Sequence, residues 1–246
     1  MLLFLVSSGF IIGILSGMLG IGGGIIIAPI LLYVPGWIGL PVMSMKTISG
    51  LTMVQGLVGA ASGYLVHRRY RVINPTLIYL LGPVMIIATF SGAHFSGGVD
   101  DTILKAVFAL MAVAAAVLMQ VKKDELPMTA PVEEINFNRP LAVLIAALIG
   151  FLGGLVGQGG SFVLVPALIN ILNIPTKVAM GSNLGIVLLA SLAGLGGKAS
   201  AGLIEPLSAL ALMVGVIPGA LLGGYLSHRM KSIIIKKIFS ILIVLV

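Results

Sequence analysis

Two short glycine clusters point most directly to chemistry in this sequence. They read GIGGG over residues 20–24 and GQGGS over residues 157–161, and each precedes a short apolar run. Glycine runs break helices, and the helix that follows a break begins with unbonded N–H groups and the positive end of its dipole. Such an end binds anions without a buried cation. The predicted lining residues are Gly22, Gly23, Gly24, Gln158, Gly159, Gly160 and Ser161.

Small polar residues inside apolar segments form the second candidate group. Buried polar groups in a membrane usually face the bundle interior and could complete the shell of an anion, while helix-to-helix hydrogen bonds explain them equally well. The candidates are Lys46, Thr47, Ser49, Ser182 and Asn183, with Thr52 and Gln55 on the same segment as the first three. Lys46 stands at a segment end, where a lysine often extends to the interface. Lys198 is also near a segment end, and we expect it to be solvated.

The composition places these residues in a membrane. Of 246 residues, 59% are hydrophobic and 9% are charged, and the mean hydropathy is +1.21. A soluble domain is about 25% charged, so soluble enzymes, nucleic-acid binders and disordered chains are excluded. Broken backbone at membrane depth must line a protein- or water-filled cavity, which favours a cavity at residues 22–24 and 159–161 over mere close packing. The four-residue spacing of Gly13 and Gly17, and of Gly150 and Gly154, fits packing.

Apolar segments of roughly 20 residues predict spanning helices. The predicted fold is an all-α polytopic membrane protein with roughly eight to ten segments, in which residues 2–19 are a retained span. A polar stretch over residues 122–139 separates a first repeat, 1–121, from a second, 140–246. Two short segments, 24–34 and 161–173, are expected half-helices with Pro29 and Pro166 as structural breaks. The long segments are 2–19, 44–66, 74–96, 102–121, 140–157, 178–198, 206–227 and 232–246.

The two halves of the chain repeat each other. Residues 13–31 align with residues 150–168 at an offset of 137, with glycines and a proline in register. At an offset of 135, Met45 stands over Met180 and Thr47 over Ser182, so that Lys46 has no basic counterpart. Later matches, such as that of Gly92 with Gly223, have an offset of 131.

The distribution of basic residues predicts that the two repeats have opposite orientations. HRRYR, from residue 67, follows the third segment of the first repeat, whereas SHRMK, from residue 227, follows the fourth segment of the second. Because basic loops are cytoplasmic, this shift requires an inverted repeat with an axis in the membrane plane. Ten segments then place the N-terminus outside and the 122–139 linker in the cytoplasm.

Several reaction classes lack the residues that they need. All seven Asp and Glu residues fall in predicted loops or at segment edges, which argues against cation coupling and intramembrane hydrolysis. There is no cysteine, and the three histidines show no ligand spacing, so no metal site is predicted. The chain also lacks the G-x4-G-K-(S/T) motif of ATP-hydrolysing proteins. No cofactor and no enzymatic activity are expected.

Both halves open with the pattern G-x2-(S/G)-G-x2-G-x-G-G-(G/S)-x4-P-x-L. This doubled motif resembles the sulfite exporter TauE/SafE family over nearly the whole chain. The resemblance implies movement of sulfur oxyanions, such as sulfite, sulfoacetate or other organosulfonates, across the plasma membrane of a bacterium or archaeon. It points to the same glycines and serine and to Pro29 and Pro166. Ile21 stands where the second copy has Gln158, so the two halves of the site differ chemically.

The leading hypothesis is a secondary transporter that moves such an anion by alternating access of the two repeats. A channel-like anion pathway and a membrane scaffold subunit without transport are the alternatives. The expected partners are a small anionic substrate and membrane lipid, with no nucleic acid, and a homodimer is allowed.

Overall fold

The computed structural model describes residues 1–20, 22, 24–70, 72–120, 135–231, 233–235, 237–238 and 241. Every regular element in these ranges is helical, and a 3-10 turn, Ser96–Gly98, directly follows the fourth helix. Most of the predicted linker and of the predicted last segment lies outside the described residues. The helices are α1 (Leu2–Leu19), α2 (Gly24–Trp37), α3 (Met45–Arg69), α4 (Pro75–Phe95), α5 (Asp101–Gln120), α6 (Arg139–Val156), α7 (Ser161–Asn170), α8 (Thr176–Ser200) and α9 (Pro206–Arg229).

Most of these helices have the length and composition of membrane spans. In the described part of the chain, six helices are long and apolar enough to cross a bilayer: α1, α4 with its 3-10 turn, α5, α6, α8 and α9. Large apolar side chains also face outward, such as Leu3 at 84% exposure and Tyr79 at 80%. A soluble protein would bury such a surface, whereas lipid accommodates it. The predicted all-α polytopic membrane fold is confirmed.

Polar caps fix where several of the helices begin. Ser44 Oγ accepts a hydrogen bond from Thr47 N at 3.1 Å at the start of α3. Asn138 Oδ1 accepts one from Leu141 N at 3.1 Å at the start of α6, and Asn74 caps α4 in the same way. These side chains satisfy N–H groups that a helix leaves unbonded at its first turn. The helix starts therefore agree closely with the predicted segment limits.

The two prolines do not end or interrupt the short helices, so their predicted role as structural breaks is wrong. α2 continues through Pro29 to Trp37, and α7 continues through Pro166 to Asn170. A proline removes one N–H from a helix, but membrane helices tolerate this loss where neighbouring helices support the freed backbone. α7 is buried at every residue, so it has such neighbours throughout.

The helix order repeats with two different offsets. α1 and α6 begin 137 residues apart, as do α2 and α7, whereas α3 and α8, like α4 and α9, begin 131 residues apart. The change arises because α2 has 14 residues and α7 has 10, and because the following connection, 38–44 or 171–175, is two residues shorter in the second half. α2 is therefore about one turn longer than its counterpart.

The predicted alignment of α3 with α8 at an offset of 135 is therefore wrong by four residues. A four-residue shift moves a helix by about one turn and keeps the same face, so glycines match in both registers: Gly50 stands over Gly181 or over Gly185. At the offset of 131, Lys46 has a basic counterpart in Lys177, and Thr47 no longer pairs with Ser182.

Glycine stripes bring helices of opposite halves into close contact. α1 and α9 pack along Gly9, Gly13 and Gly17 on one side and Gly215, Gly219 and Gly223 on the other. A β-carbon built on Gly13 would lie 2.6 Å from the carbonyl oxygen of Val216. In the same way, α6 packs on α4, where a β-carbon on Gly154 would lie 2.9 Å from Ala93 N. The first helix of each half thus packs on the fourth helix of the other.

Candidate functional site

The first glycine cluster interrupts the helical path between α1 and α2. α1 ends at Leu19, and Gly20 follows in the left-handed conformation with φ 66° while its N–H donates to Ser16 O. Gly22 has φ 65°, and α2 begins at Gly24. Side-chain-bearing residues rarely adopt such φ values, so the cluster requires glycine here. Ile21 and the predicted site residue Gly23 lie outside the described residues.

The second glycine cluster interrupts the path between α6 and α7 in the same way. Gly157 ends α6 with φ 82°, and Gly159 and Gly160 have φ 57° and 71°. α7 begins at Ser161, and Gly160 O accepts the first bonds of that helix, from Val163 N and Leu164 N. The helices are therefore interrupted at both glycine clusters.

The two breaks contact each other inside the protein. A β-carbon built on Gly24 would lie 2.9 Å from Gln158 Oε1, and one on Gly22 would lie 3.2 Å from Ser161 Oγ. All four residues are buried. Residues separated by 137 positions in the chain thus form one site at the junction of the two halves.

Each break is also held by a side chain from the third helix of the other half. Asn183 Nδ2 donates to Gly20 O at 2.6 Å, and Thr52 Oγ1 donates to Gly157 O at 2.8 Å. Thr52 and Asn183 are 131 residues apart and are therefore equivalent in the observed register. Both bind the carbonyl of the left-handed glycine at the end of a helix, a group without an intrahelical partner.

Buried polar groups without a protein partner surround the junction. Ser16 Oγ, Ser191 Oγ and both amide atoms of Gln55 and Gln158 have no hydrogen-bond partner among the described residues. Glycines stand between them: a β-carbon on Gly59 would lie 3.0 Å from Ser16 Oγ and 3.2 Å from Gln55 Nε2, and one on Gly56 would lie 3.1 Å from Ser191 Oγ. We call this group the central cluster: Gly22, Gly24, Gln158, Gly159 and Ser161 with Ser16, Gln55 and Ser191.

The central cluster has the chemistry of a site for a polar solute. Buried amides and hydroxyls normally find partners, and leaving one without a partner costs about 1–3 kcal/mol. Here four such side chains lie beside glycines that leave space next to them. The amides can donate and accept, and the hydroxyls can donate, so an oxyanion could be coordinated by neutral groups alone.

The other predicted site residues lie elsewhere and have structural partners. Lys46 is half-buried, and its Nζ donates to Gly97 O at 3.0 Å. Thr47 belongs to the Ser44 cap of α3, and Ser182 Oγ accepts from Asn74 N at 2.8 Å. Gly160 packs against α6, because a β-carbon there would lie 2.5 Å from Ile149 O.

Lys198 is the residue whose position differs most from expectation. Instead of being solvated, it is completely buried, and Nζ donates to Ser49 Oγ, Ser96 Oγ and Leu155 O at 2.8, 2.7 and 2.9 Å. α8 runs to Ser200, two residues past the predicted segment end. The flanking glycines of GGK allow this burial: a β-carbon on Gly197 would lie 2.8 Å from Phe90 O. Ser16 and Ser191 were not predicted either, although each is a lone hydroxyl in an apolar, glycine-rich helix.

Interrupted helices that meet within a polytopic bundle are typical of secondary membrane transporters. The sequence profile of the sulfite exporter TauE/SafE family matches residues 5–246. The chain belongs to this family, as its doubled glycine motif predicts.

Curated relatives carry the same general description. A probable membrane transporter protein of Methanocaldococcus jannaschii is 30% identical over 192 residues, which cover 78% of this chain and 70% of the relative. The probable membrane transporter protein YunE of Bacillus subtilis is 26% identical over 261 residues, covering 98% and 94%. A probable membrane transporter protein of Xylella fastidiosa is 27% identical and covers 100% and 93%. No solved structure is detectably similar. The chain is a multi-pass membrane protein whose relatives are bacterial and archaeal.

Proposed function

We propose that this protein is a secondary transporter that moves a small sulfur-containing oxyanion or organosulfonate across the plasma membrane by alternating access. The observation that carries the proposal is the contact between the two glycine breaks, surrounded by buried amides and hydroxyls without protein partners. Transport of this kind needs no covalent step, so we expect no enzymatic activity.

The helix ends at the junction favour an anion over a cation. α2 and α7 begin at the breaks, and the N-terminal end of a helix carries partial positive charge on its unbonded N–H groups. Gln55, Gln158 and Ser191 add neutral donors, and none of the central cluster is a carboxylate. Oxyanions are bound by such donors, whereas sodium and metal cations need carboxylate or carbonyl oxygens.

The reciprocal packing of the halves supports an inverted repeat. The first helix of each half packs on the fourth helix of the other, and the third helix of each half binds the break of the other. A two-fold exchange of the halves accounts for both. In transporters with inverted repeats, substrate binds at the repeat interface, and rocking of one repeat against the other exposes it to each side in turn.

Uptake of radiolabelled sulfite into proteoliposomes tests the proposal. We expect saturable uptake by the wild type and at least tenfold slower uptake by Gln158→Leu, because leucine has a similar volume and removes both unpartnered amide atoms. Thr89→Val is the matched control: it removes a buried hydroxyl that also lacks a partner but lies on α4. Its uptake should equal that of the wild type.

The outcomes separate the alternatives. Saturable uptake together with an increase in the thermal midpoint on addition of sulfite or sulfoacetate supports a transporter, because a ligand stabilises the state that binds it. Uptake that rises linearly with concentration supports a channel-like pathway. No uptake of any sulfur oxyanion, and no thermal shift, overturns the proposal in favour of a scaffold subunit.

A further inference from the structure

The hydrogen bonds around Lys198 reveal its protonation state. Each serine that accepts from Nζ also donates its own hydrogen elsewhere: Ser49 Oγ donates to Lys46 O at 2.7 Å, and Ser96 Oγ donates to Ala93 O at 2.6 Å. Backbone carbonyls cannot donate, so both hydroxyl hydrogens are committed. The third partner, Leu155 O, is itself a carbonyl. Nζ must therefore supply three hydrogens, which makes Lys198 a charged ammonium group.

This ammonium group has no opposite charge beside it. Among the residues that the structure describes, the one salt bridge joins Lys105 to Asp101 at 3.0 Å, and Asp101 also accepts from Lys46 N. All three partners of Lys198 are neutral. A buried charge without an ion pair is costly even when it is fully hydrogen-bonded, and charged residues within membrane proteins usually mark pathways of ions or substrates. The last carbonyls of α6 offset only part of that cost.

Lys198 stands directly behind the second glycine break. Leu155 precedes the break residue Gly157 by two positions, and a β-carbon on Gly157 would collide with the backbone of Ser49. The ammonium group is thus bonded to both walls that hold Gly157, although it does not touch the central cluster itself. At this distance its field acts on any charge bound there, because the protein between them screens less than water.

We propose that Lys198 is the fixed positive charge that makes the central cluster selective for anions and that sets its preference for divalent over monovalent ones. The inference rests on the proposed function, since it assigns a residue to the same site. Lys198 acts through space and does not coordinate the solute. Its interaction with a bound solute grows in proportion to the net charge of that solute.

The test compares two sulfonates of different charge as competitors of labelled sulfite uptake. Methanesulfonate carries one negative charge, and sulfoacetate carries two at neutral pH. In Lys198→Met, we expect the inhibition constant of sulfoacetate to rise about tenfold and that of methanesulfonate about threefold, because the logarithm of the loss scales with charge. A merely structural role would weaken both equally.

Three further variants make the test decisive. Lys198→Arg retains the charge and should keep the wild-type ratio of the two constants. Lys46→Met is the matched control, because it removes a positive charge that is only half-buried, and the ratio should not change. If Lys198→Met fails to insert, Ser96→Asp places a carboxylate beside the ammonium group and should lower the preference for sulfoacetate in the same way.

The failures are distinguishable. If wild-type uptake is absent and neither sulfonate raises the thermal midpoint, the proposed function fails. If the wild type transports sulfite and binds both sulfonates, but Lys198→Met and Ser96→Asp change the two constants by equal factors or not at all, the role of Lys198 is overturned while the transporter stands.

Discussion

At the scale of single residues, equivalent positions carry different chemistry. Thr52 and Asn183 bind equivalent glycine carbonyls, one with a hydroxyl and the other with an amide. An alignment that scores identity cannot pair them, which is one reason why the sequence favoured the wrong register. Lys198 and His67 are equivalent in the same sense: both are buried, and His67 Nε2 lies 3.1 Å from Gly17 O at the end of α1.

Replacing either carbonyl-binding side chain should destabilise the protein without direct loss of a site residue. We expect Asn183→Leu and Thr52→Val each to lower the free energy of unfolding by about 1 kcal/mol, because the carbonyl of Gly20 or Gly157 then loses its partner. Reversible unfolding in detergent mixtures measures this. Thr89→Val, whose hydroxyl has no partner to lose, should leave the free energy unchanged; an equal loss there would contradict the assignment.

At the scale of elements, hydropathy predicts where helices lie, but not how they pass prolines or align with each other. The limits of α1 agree with the prediction, and those of α8 differ by two residues at each end. Apolar length determines spans, so these are readable from sequence. Passage of α2 through Pro29 depends on neighbours, and the four-residue register shift leaves glycines on the same face. Neither can be read from a single segment.

The glycine stripe between α1 and α9 should tolerate no side chain. Gly13→Ala places a methyl group 2.6 Å from Val216 O, so the helices must separate and the free energy of unfolding should fall by about 2 kcal/mol. Gly196→Ala on α8 is the control, since its methyl group meets only Phe90 at 3.8 Å. It should be neutral or stabilising, as alanine favours helix. Equal losses in the two variants would contradict the close packing of α1 on α9.

At the scale of the whole molecule, the close packing crosses between the halves. α1 packs on α9, α6 packs on α4, and each break touches the other. The sequence predicted both glycine clusters and Gln158, because these residues are local signals. It could not predict that Ser16, Gln55 and Ser191 join them, or that Lys198 is buried behind them, because those positions follow from packing between distant segments.

Neither half should therefore be stable alone. Expressed separately, residues 1–120 and 135–246 should each aggregate or be degraded, because each leaves its glycine stripes without a partner helix. Expressed together, they should assemble into a species that co-purifies and binds sulfite with the thermal shift of the intact chain. Size-exclusion chromatography after affinity capture of one half measures this, and a monodisperse, protease-resistant single half would contradict it.

The surplus turn of α2 has a practical consequence. Its last residue is Trp37, which is 80% exposed and is the only tryptophan in the chain. Indole rings of membrane proteins settle near the lipid headgroups. The protein thus carries one intrinsic fluorophore, on one half alone, and lipids brominated at graded depths would quench it according to how deeply that helix end is immersed. Movement of α2 relative to the bilayer can be followed in the unlabelled, unmodified chain.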